Sequence, residues 1–73
     1  KSIRVTGDEI QLVFNSKFIG NVFVRDVSGR SIYQDQLVSD LYIMDVSSWS
    51  QGIYLITLQK DSGVIESHKL FID

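Results

Sequence analysis

The stretch Asp45-Val46-Ser47-Ser48-Trp49-Ser50-Gln51-Gly52-Ile53-Tyr54-Leu55-Ile56-Thr57-Leu58 decides the fold. A polar segment with the lone tryptophan turns at Gly52, and a run of β-branched and aromatic residues follows. Tyr54, Ile56 and Leu58 point one way, and Ile53, Leu55 and Thr57 the other. Both sets are largely apolar, so the run reads as an interior strand of a layered β fold.

Working outward, weaker patterns of the same period flank it. Ser2-Ile3-Arg4-Val5-Thr6 alternates, and Gly7-Asp8 breaks it as a turn. Glu9 to Phe14 places Ile10, Leu12 and Phe14 on one side. Asn15-Ser16-Lys17 reads as a turn, with Phe18-Ile19 beside it a candidate for the core. Val22 to Val27 is a further strand, closed by a Ser28-Gly29-Arg30 turn in which glycine supplies a positive φ. Ser31 to Gln34 reads as a short edge strand, Asp35 to Asp40 as a polar connection, and Leu41 to Met44 as a strand. Lys60-Asp61-Ser62-Gly63 has the form of a hairpin loop with a late glycine, and Val64 to Phe71 closes the series.

The expectation is one all-β domain over residues 1–73, with six or seven short strands at about 8–12-residue spacing, as in a sandwich or small barrel. Two layers cover apolar side chains that a single sheet would leave wet. The only helical candidate, Asp35 to Ser39, is short and lacks an apolar stripe.

Composition narrows the function. Of 73 residues, 44% are hydrophobic and 22% charged, which argues against disorder. Cysteine is absent, so no disulfide or thiolate metal site exists. The net charge is -2 at pH 7, and the basic residues Lys1, Arg4, Lys17, Arg25, Arg30, Lys60 and Lys69 are scattered, which speaks against nucleic acid. No stretch is apolar for long enough to cross a membrane as a helix. No signal peptide opens the chain and Lys1 is not an initiator, so the chain is expected to be a piece of a larger protein.

Catalytic signals are weak. His68 is the sole histidine, in a strand-like run without a nucleophile elbow, and reads as an ordinary strand residue. Asp26, Asp35, Asp40 and Asp45 show neither a glycosidase pairing nor a Ca²⁺ loop pattern. No phosphate-binding glycine loop occurs. The expectation is therefore no enzyme, no cofactor and no metal site. Trp49 reads as a lid on one end of the core, or else as part of an aromatic sugar platform with Tyr42 and Tyr33.

Three segments then fall in order: Val22-Phe23-Val24-Arg25-Asp26-Val27-Ser28-Gly29-Arg30, Ile43 to Leu58, and His68-Lys69-Leu70-Phe71-Ile72. Together, over roughly residues 20–72, they resemble the C-terminal sorting domain of type IX secretion cargo of Bacteroidetes, the Por secretion tail. Asp26, Gly29 and Arg30 match its Asp-x-x-Gly-Arg turn. Asp45, Val46, Ser47, Gly52, Ile53 and Tyr54 match its central motif, and Lys69 matches its late lysine. The chain departs in lacking the usual opening Asn-Pro, in placing Trp49 where an aliphatic residue is usual, and in ending on Asp73.

The resemblance implies an immunoglobulin-like two-sheet antiparallel sandwich that serves as a non-catalytic secretion signal. It implies an N-terminal cargo, an outer-membrane translocon that reads the tail, and a surface sortase that attaches the cargo. It also implies passage through the periplasm to the medium or cell surface, without stable membrane insertion. Lys69, Leu70, Phe71 and Ile72 are then the expected recognition residues, and Asp26, Gly29, Arg30, Asp45, Gly52 and Tyr54 the structural motif. The competing reading is a carbohydrate-binding or adhesion module that uses Trp49, Tyr42 and Tyr33.

Overall fold

Five antiparallel strands account for the fold in the computed structural model, which describes residues 1–73. They are β1 (Ser2–Val5), β2 (Glu9–Asp26), β3 (Ser31–Asp45), β4 (Gly52–Lys60) and β5 (Ile65–Ile72). The central run is a sheet-interior strand, as its sequence predicts, because β4 pairs with β2 on one side and β5 on the other.

Two strands are longer than expected, and they create the two layers. The first part of β2 pairs with β1 and with the end of β3, through Ile10↔Val5 and Ile10↔Met44. Its second part pairs with β4 and with the start of β3, through Val24↔Ile56 and Val24↔Tyr33. Between them the register jumps from Val13↔Leu41 to Phe18↔Ser39. Asn15-Ser16-Lys17 is thus a bend within a continuous strand and not a turn between two. Asp35 to Asp40 is likewise part of β3. Its polar composition follows from its place at the sheet edge, where a strand pairs on one side only.

The bend is held by identifiable groups. The Phe14 and Phe18 rings stack with centroids 4.7 Å apart, and Phe18 is buried. Opposite, the Ser39 hydroxyl donates to the Leu41 carbonyl at 2.7 Å and accepts from the Leu41 N–H at 3.1 Å. This gives the Leu41 N–H and C=O a side-chain partner where the register jumps.

Both layers turn their alternate residues inward. Ile10, Leu12 and Met44 from one layer meet Val22, Val24, Leu37, Ile56, Leu58 and Ile72 from the other in one buried cluster. Each fully buried aliphatic side chain contributes about 1.5–3 kcal/mol of transfer free energy, and no disulfide supplements them. Gly20 lies where the backbone of β4 leaves no room for a side chain: a Cβ there would sit 2.0 Å from the Gln59 carbonyl oxygen.

Candidate functional site

The motif residues lie toward one end of the second layer, and each is positioned by local chemistry. Asp26 closes the β2–β3 hairpin. Its Oδ1 accepts from the Ser28 N–H at 3.0 Å, the Ser28 hydroxyl at 2.6 Å and the Arg30 N–H at 3.0 Å. Its Oδ2 accepts from Arg30 Nε at 3.3 Å. The Ser28 hydroxyl bond is the main cause that holds the Asp26 carboxyl below its usual range, and the Ser28 and Arg30 N–H bonds act in the same direction. Gly29, at φ 87°, supplies the left-handed residue of a three-residue loop. The Lys60–Val64 loop repeats the pattern with Gly63 at φ 100°.

The central motif forms the corner between β3 and β4. The Asp45 carboxylate accepts from the Ser47 N–H at 2.9 Å, which lowers its pKa. Val46 is buried, and its N–H donates to the Asp8 carbonyl at 2.8 Å, joining this corner to the β1–β2 turn. Gly52 opens β4 at φ 153°. The Tyr54 ring is buried and its hydroxyl donates back to the Ser50 carbonyl at 2.6 Å. A tyrosine that bonds to backbone a few residues upstream is the corner device of immunoglobulin-type sandwiches.

Trp49 packs against the core at this end, as a lid does. Its ring lies 6.1 Å from Tyr33 and 5.2 Å from Tyr54, tilted by 49° and 46°. The rings are half-buried or buried and tilted against one another. Tyr33 and Tyr42 share a hydroxyl–hydroxyl bond, and the Tyr42 hydroxyl donates to the Asp35 carboxylate at 2.5 Å. Burial, then this bond to Asp35, push the Tyr42 phenol well above its usual range. The aromatic residues thus make contacts within the molecule.

The two hairpin and corner motifs flank a crevice of about 510 Å³, lined among others by Asp26, Ser28, Arg30, Trp49, Gln51 and Tyr54. The last strand brings the third motif alongside. Lys69 pairs with Leu55, which pairs with Arg25. Lys69 and Phe71 are exposed and Leu70 is half-buried, but Ile72 lies in the core. Ile72 is therefore a packing residue, because strand alternation turns it inward opposite Phe71. His68 also faces inward, half-exposed at the seam, 3.8 Å from Glu66.

The secretion system C-terminal sorting domain model matches residues 6–73, nearly the whole chain. The chain belongs to that family. The match extends upstream of the motif segments into the β1–β2 turn, so it takes in both layers. The sorting domain is a C-terminal signal for type IX secretion, and such tail domains are typically non-catalytic. Membership implies association with a type IX secretion machinery, a cargo N-terminal to the domain, and export to the medium or cell surface. Among solved structures, a DUF3244 family protein of Bacteroides vulgatus with an immunoglobulin-like β-sandwich fold superposes with a TM-score of 0.88 at 10% identity. The superposition covers 97% of the sorting domain and 82% of that chain. At that identity the likeness establishes the fold alone. A search of curated proteins finds no match.

Proposed function

We propose that the folded domain is the address read by the outer-membrane translocon, and that a surface sortase then attaches the cargo. The placement of the late-lysine motif supports this reading. Strand β5 lies at a sheet edge, pairing only with β4, and carries Lys69, Phe71 and part of Leu70 into solvent. An edge strand offers both unpaired backbone groups and side chains to a partner. Asp26, Gly29, Arg30, Asp45, Gly52 and Tyr54 act indirectly in this scheme, by shaping the turns that hold the edge in place.

The test is a fusion of residues 1–73 to a reporter that reaches the periplasm by its own leader. It is expressed in a host with an intact type IX translocon and in one without it. Reporter in the medium or on the surface of the first host alone is the expected result. Retention in both hosts, or release from both, would refute the reading. Removal of residues 68–73 is an unsuitable variant, since it strips Ile72 from the core and the pairing from half of β4.

A further inference from the structure

The outward side of the second layer carries an unusual distribution of charge. Its strand residues are Ile19, Asn21, Phe23 and Arg25 on β2, and Ile53, Leu55, Thr57 and Gln59 on β4. On β5 they are Ile65, Ser67, Lys69 and Phe71, and on β3 Ser31, Gln34, Gln36 and Val38. No carboxylate is among them, although the chain as a whole has net charge -2. The outward side of the first layer differs, with Glu9 paired to Asp45.

Lys69, Leu55 and Arg25 form one cross-strand row, and Ile53 and Phe71 form the next. Ile53, Leu55 and Phe71 are 43%, 40% and 55% exposed, an apolar strip beside two cations. Neither Arg25 nor Lys69 has a carboxylate within ion-pair distance; the ion pairs of the molecule involve Lys1, Arg30 and His68. A shallow depression of about 460 Å³ runs over this strip, reaching from Arg25 and Val27 to Lys69; the one carboxylate in its lining, Asp26, is engaged by Ser28 and Arg30.

We infer that this face, and not the strand edge alone, is where a partner protein docks, through apolar side chains flanked by carboxylates. The inference rests on the sorting role proposed above and supplies the chemistry of its reader. With strands about 4.8 Å apart, the backbones at Arg25 and Lys69 lie about 9.6 Å from each other across Leu55. An occupant that places an apolar group on Leu55 and a carboxylate over each cation satisfies all three. Complementary charge of this kind fixes register and speeds encounter. Two cations fall short of the clusters of about 4–8 that draw a protein to an anionic membrane, so the face suits a protein better than a lipid surface.

The experiment compares cargo fusions in the translocon-competent host. Arg25→Glu with Lys69→Glu is expected to lower export at least about tenfold, because both contacts become repulsive. The charge-conserving pair Arg25→Lys and Lys69→Arg is expected to export within about twofold of the parent, since it keeps both cations. A control with the same charge change elsewhere, Arg4→Glu with Lys17→Glu, is expected to export normally. Urea unfolding of each fusion verifies the fold, and the single charge reversals replace the double variant should it unfold. A parent fusion that is not exported would remove the sorting reading, and this inference with it. An exported parent with equally exported Glu variants would overturn the inference alone, as would equal losses in the control. Concentration-dependent self-association, or pelleting with anionic phospholipid vesicles, that the double variant loses while export persists would assign the face to those occupants and overturn it too.

Discussion

At the scale of single residues, backbone geometry and one carboxylate do most to shape the second layer. Gly20→Ala drives a Cβ against the Gln59 carbonyl and Lys60 Cα, backbone atoms of a strand that cannot move without breaking its ladder. A loss of at least about 2 kcal/mol in urea denaturation is expected, at the level of overpacked cores. A Cβ at Gly29 meets no neighbour, so the cost of Gly29→Ala comes from φ 87°, about 1–3 kcal/mol. Asp26 links folding to pH. Its carboxyl titrates lower in the folded chain than in the unfolded one, so its contribution is present above about pH 4 and is lost as pH falls through the depressed folded value. Asp26→Asn should therefore lower the urea midpoint at neutral pH and differ progressively less from the parent on acidification. An equal difference at every pH would contradict this.

At the scale of elements, the bend in β2 is the decisive feature, since it lets one strand serve both layers. Phe18 anchors it with 3% of its surface exposed. Phe18→Ala is expected to cost about 3–5 kcal/mol, as large-to-small changes in cores do. For a domain of this size that is much of the total stability, and loss of the cooperative transition at room temperature is the expected observation. Phe14→Ala, at the half-buried partner ring, should cost distinctly less. Equal costs would show that the ring stack and not burial holds the corner.

At the scale of the whole molecule, β pairing joins segments distant in sequence, as in β2 against β4, where Val24 pairs with Ile56, and the layers close around one cluster. Folding that must close such loops first is expected on a millisecond-to-second timescale. The chain contains no proline, so a refolding phase of tens of seconds from prolyl isomerisation should be absent. Trp49 is the only tryptophan and sits between Tyr33 and Tyr54, which makes its fluorescence a probe of the closed sandwich. A single stopped-flow phase is expected, and a slow second one would point to an intermediate.

Alternation and turn chemistry alone established that the chain is all-β, that Tyr54, Ile56 and Leu58 share a face, and that Gly29 and Gly63 close hairpins. These are local properties, written within a few residues of one another. The motif order likewise announced the sorting family. Only the tertiary structure decided that Asn15-Ser16-Lys17 bends a strand instead of ending it, because a bend and a turn use the same polar residues and differ in what pairs on either side. It also turned Ile72 into the core and aligned Arg25, Leu55 and Lys69 in one row. Such rows arise from register between strands, and register depends on contacts between residues far apart in the chain.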